Sequence, residues 1–396
     1  MCNVSRSESV FIAGDARFYL GIAMGDYSQV MQPFASRQLG ALVVAALARV
    51  MHWTVERSFI EQGLLSLIVM LVAIYYIVLD TKAPRWLLLA IAITPFWGPL
   101  LENLVLPDLW YSALLALVLL MLAGDHMLGA SLMMFPLMLS RESTSLTLIC
   151  FLIACWGWMK WRDRIVAVVS TIAGGVLVSH LAARAQPNFE NLPSSIYMLA
   201  KVPWNFMRNV LGIVPWSNVN TEFCAVPAWT MQVHLGRLQT IGICGFSSAA
   251  WLEMFQSLLN GFGLLPLLVL VLWWRCRKIA IKNVLLRFTL LYGGLSVLLA
   301  PVLGTWFERL LGYAWPLFFV ALPLLFDQFK EVPLKGSRAL AAAGLFGIHL
   351  ALFFAGYLWM NPVQVCIDAV LWMVGFLLLR HWLGEDYKPL AEASAL

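Results

Sequence analysis

Residues 64–79, LLSLIVMLVAIYYIVL, decide the fold class of this 396-residue chain. The run holds no charged side chain, and with its flanks it can cross a hydrocarbon core about 30 Å thick as a helix. Similar runs recur to the C-terminus, and only 12% of the chain is charged, whereas a soluble domain has about a quarter of its residues charged. The sequence therefore predicts an all-α, multi-pass protein of the lipid bilayer.

The apolar runs predict about eleven membrane-spanning helices, near 58–79, 86–101, 109–123, 126–140, 143–160, 165–183, 258–274, 284–304, 310–326, 339–359 and 363–381. The chain then divides into an outer N-terminal segment (1–57), a first bundle of about six helices (58–183), a large loop (184–257), a second bundle of about five helices (258–381) and a tail (382–396). Within the first segment, the short apolar stretch 38–53 predicts an amphipathic helix lying in the outer membrane interface.

Basic residues predict the orientation. The short connections on one side carry Lys82, Arg85, Lys160, Arg162, Arg164, Arg275, Arg277, Lys278, Lys282, Lys330, Lys335 and Arg338. The positive-inside rule makes that side cytoplasmic, so the C-terminus lies inside and residues 1–57 and 184–257 lie outside. These loops account for the net charge of +5, so we expect no nucleic-acid partner. With no signal peptide before an outer N-terminus, we expect one further helix upstream.

The outer connections gather an unusual set of charges at one end of the bundle. Arginine presents a fork that matches phosphate oxygens, and a carboxylate can accept a proton from an attacking hydroxyl or amine. The set predicts a site at the membrane surface for an anionic, lipid-linked substrate, and the alternative is a group of solvated loop charges. Its members are Asp15, Asp26, Arg37, Glu102, Asp108, Arg141, Glu142, Glu308 and Arg309.

Three stretches carry a family resemblance. Residues 14–65 begin GDARFYLG and continue through PFASRQL into the predicted interfacial helix; residues 139–148 read LSRESTSLTL; residues 307–319 read FERLLGYAWPLFF. In this order and on the outer side, they resemble bacterial GT-C-type integral membrane glycosyltransferases, and Pro107-Asp108 falls where that class often has an acid. The chain departs from the pattern in lacking a helix before the first loop and in reading Gln-Leu-Gly after Arg37.

The resemblance implies a GT-C-like fold in the bacterial inner membrane and inverting transfer of a sugar on the outer face. The donor would be a polyprenyl-phosphate-linked sugar and the acceptor a glycan, a lipid or a protein. It implies no metal and no other cofactor. Asp15 would be the general base, with Asp26 as the alternative. Asp108 or Glu102 would orient the acceptor, Arg141 and Arg309 would hold the donor phosphate, and Arg37 and Glu142 are further candidate substrate-binding residues.

The loop 184–257 is too long to be a bare connector. It is rich in Trp, Pro, Asn and Gly, so it can form a lid over the acceptor with Trp204, Trp216 and Trp229 stacking on sugar rings. The alternative is that these aromatics anchor the loop at the membrane interface. Cys224 and Cys244 share the loop and can pair if it faces an oxidising compartment.

Two other functions stay open. A polymerase or ligase of surface polysaccharide would rely on arginines of the long loop, with Asp15 dispensable. A lipid or solute transporter would use Asp368 and His349, which lie inside predicted spans, although a single acid there is more often a satisfied interhelical contact. No internal repeat of the kind found in many transporters is evident. No phosphate-binding glycine loop is present either, so we do not expect ATP-driven work.

Overall fold

The computed structural model describes residues 15–102, 104–188, 191, 194–221, 224–276, 282–304, 307–329, 336–356 and 362–385. Most of this part of the chain is helical. Its N-terminal half forms α1 (Ala16–Met24), α2 (Gln38–Met51), α3 (Val55–Val78), α4 (Arg85–Ala92), α5 (Trp97–Glu102), α6 (Pro107–Ala123), α7 (Met127–Leu132), α8 (Met134–Ser140), α9 (Thr144–Cys155) and α10 (Trp161–Ala182).

The C-terminal half contains helices and one small sheet. In chain order these are α11 (Ser194–Asn209), β1 (Ile213–Ser217), β2 (Trp229–Leu235), β3 (Leu238–Phe246), α12 (Ala249–Phe262), α13 (Leu265–Cys276), α14 (Val284–Leu303), α15 (Phe307–Gly312), a π-helical turn (Leu317–Ala321), α16 (Leu322–Phe326), α17 (Ser337–Gly356) and α18 (Pro362–Glu385).

Within the described ranges, four helices are long and apolar enough to cross a membrane: α3, α10, α14 and α17. The pair α12 and α13 adds a fifth candidate if it is one span, but its two halves meet at an 89° bend. This count corrects the prediction of about eleven spans. Several predicted spans are broken into shorter helices, since 86–101 forms α4 and α5 and 126–140 forms α7 and α8. The residues at the breaks are themselves mostly apolar or small, so hydropathy does not reveal them.

The interior is a continuous apolar core between the helices. The long helix α3 packs along α6, α10 packs against α7 and α8, and α9 packs against α14. Large aromatic side chains fill the centre, including the fully buried Trp315 and Phe288. A smaller apolar cluster joins α1 and α2 to the first turns of α3. This cluster fixes the N-terminal segment to the bundle at the end where the charged residues lie.

The N-terminal apolar stretch forms the predicted helix. Its observed range is Gln38–Met51, and it ends at His52, which has a left-handed backbone conformation (φ 55°). Arg37 immediately precedes the first turn. The start of α2 therefore fixes the position of Arg37 in the chain segment between α1 and α2.

The long loop contains a small three-stranded β-sheet, while the rest of the described chain is mostly helical, as the all-α prediction expects. The strands are antiparallel in the order β1-β3-β2. Cys224 and Cys244 form a disulfide with a Cα–Cα distance of 6.1 Å, within the roughly 7 Å that a disulfide allows. The predicted pairing is confirmed, and the bond ties the segment before β2 to the end of β3.

Candidate functional site

Six charged side chains from five separate places in the chain meet at one end of the bundle. We call Asp15, Arg37, Asp108, Arg141, Glu142 and Arg309 the ionic cluster. Asp15 precedes α1, Asp108 lies in the first turn of α6, Arg141 and Glu142 connect α8 to α9, and Arg309 lies in α15. All six were candidates from the sequence, and their ion pairs join residues up to 294 positions apart.

Asp108 binds two arginines at the centre of the cluster. Arg309 Nε donates to Asp108 Oδ2 at 2.6 Å, and Arg141 Nη1 donates to Asp108 Oδ1. Asp108 and Arg141 are buried, with 7% and 6% of their surfaces exposed. Pro107 fixes the start of α6, and the positive end of the helix dipole favours a carboxylate in that first turn. Asp108 therefore aligns two guanidinium groups side by side.

Asp15 lies at the accessible end of the cluster. Arg309 Nη1 donates to Asp15 Oδ2 at 3.2 Å. The side chain of Asp15 is 30% exposed, against 13% for Arg309 and 10% for Asp108. Arg309 thus contacts one buried and one accessible carboxylate through different nitrogens.

Arg37 and Glu142 form the second half of the cluster. Arg37 donates to Glu142 from Nη2 at 2.6 Å and from Nε at 3.1 Å, and its Nη1 donates to the hydroxyl of Tyr19 at 3.2 Å. Burial alone raises the pKa of Glu142, but the charge and hydrogen bonds of Arg37, followed by the charge of Arg141, hold that pKa well below its usual range. Glu142 is therefore a carboxylate at neutral pH, and Arg37 fixes its orientation.

Tyrosines line the buried side of the cluster, and sequence reasoning did not single them out. The hydroxyl of Tyr313 accepts a hydrogen bond from Arg141, whose guanidinium lies 4.3 Å from the centre of the Tyr313 ring. Tyr111 packs edge-on against Tyr313, and its hydroxyl lies 2.6 Å from Thr147 Oγ1. The sequence feature that could have indicated Tyr313 is its spacing. It follows Arg309 by four residues, which is about one helical turn.

The six charges of the cluster balance, with three arginines and three carboxylates. Bringing such pairs out of water costs several kcal/mol per ion, so they are weak evidence for stability. Guanidinium groups held side by side in a mostly buried setting are suited to bind oxyanions such as phosphate through paired N–H donors. An accessible carboxylate at the edge of such a group is suited to accept a proton.

The other predicted site residues lie elsewhere. Asp26 sits in an exposed turn, where its carboxylate accepts hydrogen bonds from the Ser28 hydroxyl at 2.6 Å and the Ser28 amide at 3.0 Å, both of which lower its pKa. Glu102 ends α5, and its side chain lies outside the described residues. Trp216 in β1 is half-buried, and Trp229 in β2 is 54% exposed. Among the described residues, no group of three or more His, Cys, Asp or Glu side chains is arranged to hold a metal ion.

Asp368 and His349, the residues of the transport alternative, contact each other. His349 Nδ1 lies 3.0 Å from Asp368 Oδ1, and His349 Nε2 lies 3.1 Å from the carbonyl oxygen of Leu259. Both side chains are buried. Leu259 belongs to the last turn of α12, immediately before the 89° bend. The pair therefore joins α17 and α18 to the bent helix as an interhelical contact.

No protein-family model matches the chain, and no curated protein or solved structure is significantly similar to it.

Proposed function

We propose that the chain is a membrane glycosyltransferase of GT-C-like architecture. It moves a sugar from a polyprenyl-phosphate donor to a glycan, lipid or protein acceptor on the outer face of the bacterial inner membrane, and the C-terminus is cytoplasmic. The observation that supports the proposal most is that Arg309 contacts both Asp108 and Asp15. The proposed phosphate-binding residue, Arg309, is therefore in direct contact with the proposed base, Asp15, although the two are far apart in the sequence.

Arg141 and Arg309 bind the donor phosphate in this proposal, and Asp108 orients them from its buried position. A phosphate oxygen replaces the Asp15 carboxylate on Arg309 Nη1. That exchange releases Asp15, the most exposed acid of the cluster, next to the anomeric carbon. Donor binding thus exposes the base that the reaction needs.

The reaction is an inverting displacement. The acceptor oxygen or nitrogen forms a bond to the anomeric carbon as its proton passes to the Asp15 carboxylate. The bond between the anomeric carbon and the phosphate oxygen breaks, and the polyprenyl phosphate leaves with that electron pair. Arg141 and Arg309 stabilise the developing charge because charge-assisted hydrogen bonds strengthen as the oxygen becomes more negative.

Substitutions at Asp15 and Arg309 test the role of the base and the role of the phosphate-binding residue independently. Asp15→Asn is expected to lower turnover about 10²–10⁴-fold, the usual contribution of a general base, while binding of polyprenyl phosphate is retained. Arg309→Ala is expected to weaken binding of polyprenyl phosphate, and Arg309→Lys to restore part of it. The measurements are sugar transfer from a panel of polyprenyl-phosphate sugars and binding of sugar-free polyprenyl phosphate, both with purified protein.

Asp26→Asn is the matched control, because Asp26 is an exposed acid whose hydrogen bonds stay within its own turn. It is expected to leave transfer unchanged. Full activity in Asp15→Asn together with loss of activity in Asp26→Asn would move the base to Asp26. Unchanged polyprenyl-phosphate binding in Arg309→Ala would remove the assignment of the phosphate site.

A further inference from the structure

Helix α11 has its polar and apolar faces reversed relative to a helix at a water-exposed surface. Its side against the protein carries Asn205 and Asn209, which are 3% and 1% exposed. Asn209 Nδ2 donates to the carbonyl oxygens of Pro301 at 2.7 Å and Gly304 at 2.8 Å, and Asn205 Nδ2 donates to that of Val302 at 3.2 Å. These carbonyls belong to the end of α14, where a helix leaves acceptors without an internal donor. The buried asparagines of α11 thus make their hydrogen bonds inside the protein.

The exposed side of α11 carries an apolar stripe. Its members recur every three or four residues, so they share one face of the helix. The large residues are 39–72% exposed, and Leu199 is the most exposed at 72%. We define the α11 stripe as Ile196, Leu199, Val202 and Phe206 of the helix together with Val210, which immediately follows its last residue. An amphipathic helix in water presents the opposite arrangement, with its apolar face inward.

The α11 stripe continues into other exposed apolar surface. The indole N–H of Trp251 donates to the carbonyl oxygen of Val210 at 3.1 Å, and Trp251 packs edge-on against Phe246. Leu303, at the end of the candidate span α14 on which α11 packs, is 46% exposed. The stripe therefore lies on a helix that packs against a candidate membrane-spanning helix with exposed apolar residues of its own.

The charge of the same segment also indicates its partner. Residues 194–211 contain Lys201 and Arg208 and no acid. Arg208 lies 3.9 Å from Glu253 within the protein, so the headgroup argument uses Lys201. Lys201 Nζ lies 4.5 Å from the centre of the Tyr197 ring. An apolar face flanked by cationic and aromatic side chains is typical of helices that lie in the headgroup region of anionic membranes. With 16 residues and these polar groups, α11 is not itself one of the candidate spans.

We propose that α11 lies along an anionic phospholipid surface, with the α11 stripe against the acyl chains and Lys201 among the headgroups. Helix α11 then lies in the membrane interface, and the sheet that follows it lies at the bilayer surface. The proposal concerns the lipid surface as partner and is independent of the transferase reaction.

Spin labels test the proposal directly. Leu199→Cys is labelled with a nitroxide in a background carrying Cys2→Ser and Cys366→Ser, because Cys366 is the exposed free cysteine among the described residues and Cys2 lies outside them. The protein is reconstituted in vesicles of phosphatidylcholine and phosphatidylglycerol. Power saturation then compares collisions with oxygen, which concentrates in acyl chains, and with a water-soluble nickel complex. The oxygen-to-nickel ratio at Leu199 is expected to be severalfold higher than at a label on Gln232→Cys, an exposed position whose side chain contacts Thr240 on the polar face of β2.

Equal ratios at Leu199 and Gln232 would place the stripe in water and overturn the proposal. Protection of Leu199 from both reagents would also overturn it, because a protein partner or a second copy then covers the stripe. Lys201→Glu gives a measurement that needs no label. The wild-type protein is expected to melt at a higher temperature in nanodiscs containing phosphatidylglycerol than in phosphatidylcholine alone, and Lys201→Glu is expected to reduce that difference. An unchanged difference would count against the headgroup contact.

Discussion

Asp108 and Glu142 show how differently two carboxylates of one cluster are held. Asp108 is shared by two arginines, so its loss would leave two mostly buried guanidinium groups without their common partner. Glu142 has one principal partner, Arg37, and its side chain is 28% exposed. The Arg37–Glu142 pair is therefore the simpler place to measure what the cluster contributes to stability.

Glu142→Gln is expected to lower stability at pH 7 by on the order of 2 kcal/mol, less than the roughly 3–5 kcal/mol for breaking a fully buried pair. The pKa of Glu142 in the folded protein lies below the ordinary value of 4.5. Its contribution is accordingly complete above about pH 4.5 and is lost as the pH falls through the folded-state pKa. In thermal unfolding of the solubilised protein between pH 7 and pH 3, the difference between the variant and the wild type should therefore be constant down to about pH 4.5 and shrink below it.

The control for this measurement is Glu61→Gln. Glu61 lies 3.7 Å from Arg57 in an exposed pair one turn apart on α3, and such pairs contribute about 0–1 kcal/mol. Its melting temperature should stay close to wild type across the pH range. Parallel pH profiles for wild type and Glu142→Gln would show that the pair does not titrate as described.

At the scale of elements, close helix packing depends on single glycines. A Cβ atom added to Gly293 in α14 would lie 2.4 Å from Leu317 Cβ and 3.0 Å from the backbone nitrogen of Leu317. Leu317 begins the π-helical turn that follows α15. Because backbone atoms are among those approached, the contact cannot be relieved by rotating one side chain.

Gly293→Ala is expected to destabilise the protein by about 1–3 kcal/mol through overpacking. Gly294→Ala is the matched control, since nothing lies within 4 Å of its added Cβ and alanine is the better helix former by up to about 1 kcal/mol. The two melting temperatures should move in opposite directions, or Gly294→Ala should stay at the wild-type value. A loss of the same size in both variants would contradict the close approach of α14 to Leu317.

The elements that the sequence predicts well are long and uniformly apolar. The span predicted at 58–79 is α3, Val55–Val78, and the span predicted at 284–304 is α14, Val284–Leu303. The broken helices were missed because a break depends on packing partners. The α12–α13 bend sits at Gly263, whose added Cβ would lie 3.0 Å from His349, a residue about 90 positions away. The sheet is not evident from the sequence, because its strands are short and lie in a segment rich in Pro, Gly and Asn.

At the scale of the whole molecule, sidedness predicted which charged residues belong together. Helix alternation assigned Asp15, Asp108, Arg141 and Arg309 to one face, and the structure joins them in ion pairs. The pairing itself could not be predicted, because it depends on how the helix ends are arranged around Asp108. Nor does alternation distinguish a residue inside the cluster from Asp26, which shares the predicted face and remains in its own turn.

The opposite connections also meet each other, which supports the same division into two faces. The Lys82 amide donates to Asp327 Oδ1 at 2.6 Å, and Lys82 Nζ donates to the carbonyl oxygen of Phe329 at 3.2 Å. The Arg287 guanidinium lies 4.9 Å from the centre of the Trp158 ring. All four segments belong to the face predicted to be cytoplasmic. These contacts are thus consistent with the predicted division of the connections into two faces. Which of the two faces meets the cytoplasm is a separate question.

Labelling with a membrane-impermeant maleimide decides that question. The reagent is applied to intact spheroplasts expressing probes that each add one cysteine to a chain carrying Cys2→Ser and Cys366→Ser. Gln239→Cys, in β3, is expected to react at once, because the positive-inside rule puts the basic connections in the cytoplasm and the sheet outside. Arg162→Cys occupies a position whose native side chain is 59% exposed, so it should react only after the membrane is permeabilised. The disulfide between Cys224 and Cys244 fits this orientation, since such bonds persist in oxidising compartments. The reverse labelling pattern would move the ionic cluster to the cytoplasmic face, where a donor would have to be used before it crosses the membrane, and the proposed outer-face transfer would fall with it.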